Sequence, residues 1–436
     1  MAVYTSWGRH FHFKQYVKRL FWRHDDFSFM QDSEITMLPY GLGRSYGDVC
    51  LNEEGMLLDT AGMNHFMEFN TETGRITCEA GVNLEDLSRL TVPKGWFIPV
   101  TPGTKFVTIG GAIANDIHGK NHHAAGTFGT HVLRFELVRS TGERLICSAE
   151  ENPELYRATI GGLGLTGLIT WAEIQLKPVQ SPHIDSEVIK FTTLDDFYRI
   201  SAESDETFEY TVAWVDCLAD WPNEGRGLFI RGNHHAGNHK KGAELPRQYL
   251  SVPIHLPNMT LNRHTVKLFN KAFYARERKP HSKRLMHYDK FFYPLDRIDN
   301  WNRIYGKAGM YQYQFVLPEE NLDAIVPVLQ KISQSGQASF LAVLKKFGDV
   351  PSPGMLSFPF KGITLALDFP NRGRTTIELL KSLDVIVLEN GGRFYPAKDS
   401  IMSPSSFAAS YPDWEAFAEH IDPQFSSSFW RRVTKS

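Results

Sequence analysis

Cysteine is scarce in this chain of 436 residues. Cys50, Cys78, Cys147 and Cys217 stand far apart, with neither C-x-x-C nor zinc-type spacing, which excludes a disulfide framework and leaves four buried or incidental thiols. Long apolar runs are missing too, and nothing approaches the ~20 residues that a bilayer span requires. The first residues, MAVYTSWGRHFHFKQYVKRLFWRHDD, carry Lys and Arg but neither an apolar h-region nor a small-residue cleavage site, so no signal peptide is expected. A cytoplasmic protein, or one peripheral on a membrane, is the corresponding expectation. Internal repeats and low-complexity tracts are absent as well. With 42% hydrophobic and 22% charged residues, what remains is a soluble globular chain long enough for about two or three domains.

The formal charge of −2 conceals an asymmetry. Arg231 to Lys290 holds thirteen Lys and Arg against Glu244, Glu277 and Asp289, a local balance of +10 that leaves −12 on the rest. Such a block reads either as a solvated loop or as the footprint of an anionic partner. Within it Val266, Phe269 and Phe273 recur at helical spacing between Lys267, Lys271, Arg276, Arg278 and Lys279, the pattern of an interfacial amphipathic helix that docks on an anionic membrane. No nucleic-acid partner is expected.

Before residue 180, stretches such as GRITCE (74–79) and AEIQLK (172–177) alternate as half-buried strands do, between Gly-rich turns. Leu84, Leu87 and Leu90 fall near helical spacing behind Asn83, a plausible N-cap. Strands interrupted by short helices indicate an α+β fold rather than a regular βαβ array. After about residue 182 glycine thins and aromatics rise, through Phe191, Phe197, Tyr198, Phe208, Tyr210 and Trp214, so a second domain is placed there. Val385 to Arg393 reads as a strand-like run that ends in a loop.

Three segments carry the chemistry. Pro39 to Asp48 packs three glycines and three hydroxyl residues into ten positions, which lets backbone N–H groups approach an anion closely; without G-K-[ST] it is not a nucleotide P-loop. Pro102 to His131, PGTKFVTIGGAIANDIHGKNHHAAGTFGTH, is a bare backbone with Thr104, Thr108 and Asn115 as polar handles, suited to a long ligand with a diphosphate in its middle. Its His118, His122, His123 and His131 lack a Cys, Glu or second Asp at ligand spacing, so no metal site is expected. Gly162 to Gly167 is a literal G-x-G-x-x-G, but a strand-like LITWAEI follows it where a dinucleotide fingerprint demands a helix.

The order of these motifs resembles the vanillyl-alcohol oxidase/para-cresol methylhydroxylase (PCMH) superfamily, and within it the decaprenylphosphoryl-β-D-ribose 2′-oxidase family. The matching strings are SWGR at 6–9, GLGRSYGD at 41–48, PGT and TIGGAIANDIHGKNHHAAGTFG within 102–129, and GGLGLTG at 161–167. In the second half they are WNR at 301–303, QYQF at 312–315, Lys345 with Phe347-Gly348, LDFP at 367–370 and AKDS at 397–400. The resemblance covers nearly the whole chain and is weakest over 233–285.

It implies a two-domain PCMH-type fold: an FAD-binding domain over 1–182, a separate antiparallel-sheet substrate domain over 183–392 with the basic insertion at about 231–290, and a return to the first domain over 393–436. Non-covalent FAD would meet Pro39, Tyr40, Gly41, Leu42, Gly43, Arg44, Ser45, Tyr46, Gly47, Asp48, Val49, Gly103, Thr108, Ile109, Gly110, Gly111, Asn115, Asp116, Ile117, His118, Ile169 and Tyr395. The implied reaction removes hydride from C2′ of a polyprenyl-phosphate-linked ribose, after which a short-chain reductase partner reduces the ketone to give the arabinose epimer. An aldonolactone or alditol oxidase on a soluble sugar, and a non-catalytic FAD or polyprenyl-phosphate-binding subunit, are the alternatives. Catalytic candidates are Lys398, His118 and Tyr46.

Gln312 and Gln314 would project to one strand face and grip sugar hydroxyls, unless that face is merely solvated. Lys120 and Lys345 are the candidates for the substrate phosphate, against the alternative of surface lysines. Lys398 is read as a desolvated amine that supports loss of the hydroxyl proton, against a salt bridge to Asp399 or another carboxylate. One departure stands out: Ala366 occupies the place where relatives carry the cysteine that nitroaromatic suicide inhibitors attack.

Overall fold

The computed structural model describes residues 4–31, 33–222, 224–237, 250–257 and 259–435. The first unit holds a three-stranded parallel sheet in the order Tyr16–Arg19, Met56–Asp59, Met37–Tyr40. Beside it lies a five-stranded antiparallel sheet in the order Phe66–Asn70, Arg75–Glu79, Leu168–Gln175, Val132–Val138, Arg144–Ser148. The Asn83 side chain accepts from the Asp86 amide and starts the helix Leu84–Thr91. The Thr108 hydroxyl does the same for Ile109–Ala114 by accepting from the Gly111 amide. Leu84, Leu87, Ile109, Ala112 and Ile113 then pack with Ile76, Cys78, Ala172 and Ile174 in one core. The G-x-G-x-x-G run leads directly into the strand Leu168–Gln175, as its composition requires.

The second unit is an eight-stranded antiparallel sheet in the order His281–His287, His183–Phe191, Gly227–His234, Tyr210–Val215, Ala342–Phe347, Gly362–Pro370, Met310–Pro318, Arg393–Phe394. Alternation along its strands sends Tyr311, Tyr313, Phe315, Leu365 and Leu367 into a core closed by the helices Ile325–Ser335 and Arg374–Glu389. The residues between them face the first unit. A buried ion pair helps join the two units: the Lys105 ammonium lies 2.6 Å from Asp289 and 3.5 Å from Glu85.

Three expectations are corrected. Val385 to Glu389 is the end of the helix Arg374–Glu389, which buries Thr376, Leu379, Leu380, Leu383 and Val387 at helical spacing. The β-branched Val-Ile-Val costs a few tenths of a kcal/mol per residue in helix propensity, far less than burial of that apolar stripe returns. The sheet also extends two residues past 392, because Arg393–Phe394 pairs with Phe315 and Val316. Finally, the basic segment is no appended loop. Gly227–His234 and His281–His287 flank His183–Phe191 as ladder strands, while residues 238–249 and 258 lie outside the described residues. Its helix Arg263–Arg276 forms behind an Asn262 capping box, but it splits the expected stripe: Val266 is buried in the core and Phe273 packs 4.9 Å from Trp214, while Phe269 stays 46% exposed.

Candidate active site

Strand register builds one wall of a cavity between the units. Gln312 stands opposite Asp368, Gln314 opposite Ala366, Ala366 opposite Val343 and Thr364 opposite Lys345, so all of these side chains leave the same face of the sheet. Gln312, Gln314, Val343, Lys345 and Ala366 line the cavity. The facing wall is the glycine-rich backbone of the first unit, and Tyr395 and Lys398 of the carboxy-terminal return complete the enclosure.

That backbone wall is built for close approach. A Cβ on Gly41 would lie 2.4 Å from the Thr108 hydroxyl, so any side chain there would push the first loop off the capped helix. At Gly103 a Cβ would meet nothing within 4 Å, and at Gly111 chiefly the Thr108 hydroxyl, which leaves the backbone open to a ligand. Two buried polar atoms in this region lack a partner. Asn115 donates from Nδ2 to the Gly111 carbonyl and leaves Oδ1 unpaired; the Arg44 guanidinium, 4.1 Å from the Trp7 ring and 5.1 Å from that of Phe106, leaves Nε unpaired. An unpaired acceptor and an unpaired cationic donor above a glycine floor fit a long, anionic, heteroaromatic cofactor.

Of the expected cofactor residues, Pro39, Gly41 to Tyr46, Val49, Gly103, Thr108, Gly110, Gly111, Asn115, Ile117, His118, Ile169 and Tyr395 line the cavity. Tyr40, Gly47, Asp48, Ile109 and Asp116 do not, and they hold its walls instead. Tyr40 donates to the Thr5 carbonyl, Ile109 is in the core, and a Cβ on Gly47 would overlap the Asp399 carbonyl. The Asp116 carboxylate accepts from the Gly129 amide and the hydroxyls of Ser352 and Ser357. Asp48 pairs at 2.7 Å with Arg432, whose guanidinium also lies 2.9 Å from Asp399 and ties the carboxy-terminal helix Ser428–Thr434 to both loops.

The catalytic candidates meet at one end. Lys398 lies over the Tyr46 ring at 4.2 Å; burial lowers its ammonium to about 8, opposed by the negative charge of Asp368. Asp399, committed to Arg432, is not its partner. Burial pushes the Tyr46 phenol well above its ordinary value. Asp368 accepts from Gln312 Nε2 at 2.6 Å, and burial raises its carboxyl to about 7. Lys345 Nζ lies 3.2 Å from His118 Nδ1; burial first, then Lys120 and Lys398, bring it down to about 7. The same burial, followed by the neighbouring lysine charge, drives His118 well below its ordinary value, so the imidazole is neutral.

Lys120 is a correction. Its ammonium donates to the Phe291 and Phe292 carbonyls at 3.1 Å each and does not line the cavity, so it joins the units rather than meeting a substrate phosphate. His122 packs 4.6 Å from Phe347, while His123 and His131 each bond a carbonyl. Among the described residues no three His, Cys, Asp or Glu are grouped to hold a metal. Asp368, Thr364, Asp296, Trp7 and Trp301 were not among the expected site residues. For Asp368 and Thr364 the signal was present, because they share strand parity with Ala366.

The FAD binding domain family matches residues 27–148. The chain is 36% identical over 416 residues to the decaprenylphosphoryl-β-D-ribose oxidase of Mycolicibacterium smegmatis, covering 91% of this chain and 89% of that protein. A D-arabinono-1,4-lactone oxidase of Eremothecium gossypii is 30% identical over 176 residues, 39% of this chain and 32% of that protein. Cytokinin dehydrogenase 5 of Arabidopsis thaliana is 34% identical over 143 residues, 32% of this chain and 25% of that protein.

Proposed function

The chain belongs to the decaprenylphosphoryl-β-D-ribose oxidase family, and on that footing we propose that it oxidises the C2′ alcohol of a polyprenyl-phosphate-linked ribose to the 2-keto sugar. The observation that carries this reading is the convergence of Lys398, Lys345, His118, Gln312 and Gln314 on one end of a cavity whose other wall is bare glycine backbone. Bound FAD supplies the hydride acceptor. Arg44, Asn115 and the open backbone at Gly103, Gly110 and Gly111 hold the cofactor, while Gln312 and Gln314 bind sugar hydroxyls and orient the carbinol. Lys398 supports loss of the hydroxyl proton, with Tyr46 and His118 beside it.

The product is a ketone, which a short-chain reductase partner would reduce to the arabinose epimer. A lipid-linked substrate calls for a membrane-facing surface. With Val266 and Phe273 turned inward, that surface is the outer side of Arg263–Arg276, where Leu268 is 71% exposed beside Lys267 and Lys271, together with the exposed Ile254 and Met259. Each cation near an anionic surface adds about 1 kcal/mol, screened by salt. Co-sedimentation with anionic but not neutral vesicles, lost at high salt and weakened by Leu268→Glu, is expected; equal binding to both vesicle types would refute it.

Soluble aldonolactones are the competing substrates, but the lactone oxidase likeness spans only 39% of the chain. The deciding test is anaerobic: lipid-linked ribose should bleach the yellow protein and an aldonolactone should not. The reverse result would transfer the assignment to the lactone. A protein that neither bleaches would be a binding subunit.

A further inference from the structure

Hydrogen-bond direction fixes the state of the deepest part of the site. The Thr364 hydroxyl donates its one hydrogen to the Phe315 carbonyl at 2.7 Å, so towards the Gln314 amide it can only accept. That orients Gln314 with Nε2 against Thr364, at 3.1 Å; the rotated amide would set oxygen against an oxygen with no hydrogen to give. The same Nε2 lies 3.0 Å from His118 Nε2. An amide nitrogen does not accept, so the imidazole accepts there and carries its proton on Nδ1. Nδ1 in turn faces Lys345 Nζ at 3.2 Å. An ammonium has three donors and no lone pair and would meet that N–H donor to donor, so the 3.2 Å contact calls for a neutral amine, with the Gly119 carbonyl, 3.5 Å from Nζ, also in reach of the imidazole.

We propose that Lys345, held as a neutral amine by this one-way chain through His118, is the acceptor of the substrate's hydroxyl proton, and that Lys398 is the cation that steadies the resulting alkoxide. The assignment rests on the alcohol oxidation proposed above. In the step, the His118 Nδ1–H turns from Lys345 to the Gly119 carbonyl, with which the imidazole also bonds; the Nζ lone pair so freed takes the hydroxyl proton, Lys345 becomes an ammonium, and the oxygen keeps the bonding electron pair beside Lys398. The surroundings of the two lysines differ in the required sense. Lys345 is faced by neutral His118 and His122, by the Gly119 carbonyl, by Lys120, which burial itself lowers to about 7, and by the cation Lys398. Lys398 has the negative charge of Asp368 and the π face of Tyr46, both of which favour its charged form. Burial and neighbouring cations bring Lys345 to about 7, while Lys398 stays at about 8.

Two readouts test this on the FAD-loaded protein. Long-range proton–nitrogen spectra of histidine-labelled protein, with His118 assigned by its loss in His118→Gln, should show the Nδ1–H tautomer. An Nε2–H tautomer or an imidazolium would overturn the chain, whatever the substrate turns out to be. The second readout is the rate of anaerobic flavin reduction by lipid-linked ribose. In the wild type it should fall as pH drops through about 7, where Lys345 gains its proton, and fall again above about 8, where Lys398 loses its charge. Lys345→Met and Lys345→Arg should both keep FAD and both lose at least ~10²-fold in rate, without the acidic limb. If Lys345 instead held the substrate phosphate, Lys345→Arg would stay active and Lys345→Met would raise KM with the limb intact, and either result overturns the proposal. A wild-type protein that lipid-linked ribose does not reduce would sink the functional reading, and the tautomer would still decide the hydrogen-bond chain.

Discussion

Replacing Arg432 with Met tests how the carboxy-terminal return holds Lys398 in place. The guanidinium makes two bonds to Asp48, at 2.9 and 2.7 Å, one to Asp399 at 2.9 Å and one to the Met402 carbonyl at 2.6 Å. Both carboxylates are buried, and burial already lifts the Asp48 carboxyl above the usual carboxylate range. Removing one partner of a buried pair costs about 3–5 kcal/mol. Arg432 is 26% exposed and the Ile401 and Met402 amides still serve Asp399, so we expect the lower end, about 3 kcal/mol. For a chain of this size that lowers Tm by roughly 3 °C. The deficit should depend on pH with a definite sign. Without Arg432 the folded-state pKa of Asp48 rises further, so the loss is fully expressed above that pKa and is relieved as pH falls through it. Thermal melts of Arg432→Met and wild type should therefore diverge more at about pH 8 than at about pH 5. Equal melting temperatures, or the same gap at both pH values, would refute the clamp.

Lys398→Ala should keep FAD and a near wild-type spectrum while slowing anaerobic flavin reduction by at least ~10²-fold; an unchanged rate would remove Lys398 from the reaction. Acid precipitation should release FAD into the supernatant, because Gly41 to Asp48 contains no histidine and both ring nitrogens of His118 are engaged; colour held in the pellet would contradict this. Nitroaromatic suicide inhibitors should bind only reversibly, since Ala366 offers no thiol and burial pushes that of Cys50, which also lines the cavity, up to about 12. A stable adduct by intact mass would overturn that expectation.

Much of the site was legible because it depends on short-range rules. Glycine density marked the backbone wall, and strand parity put Gln312 and Gln314 on one face. The same parity reaches Thr364 and Asp368 through Ala366, but only the pairing of strands about fifty residues apart shows that they meet those glutamines. Lys120 was misplaced because nothing local says which side of the DIHGKNHH turn faces the cavity; the carbonyls that capture its ammonium come from Phe291 and Phe292. The stripe on Arg263–Arg276 was read as one apolar face, yet a sequence cannot distinguish Phe273, which packs on Trp214, from Phe269, which stays exposed. Val385 to Glu389 misled because its β-branched run outweighed a helical period set farther upstream, at Thr376, Leu379 and Leu383.

The most direct test of the central claim uses lipid-linked ribose carrying deuterium at C2′, turned over once by the FAD-loaded protein and analysed by mass spectrometry. The account predicts a 2-keto sugar that has lost the deuterium, formed more slowly than from the unlabelled substrate. A product that retains deuterium at C2′, or an oxidised carbon elsewhere on the sugar, would contradict it.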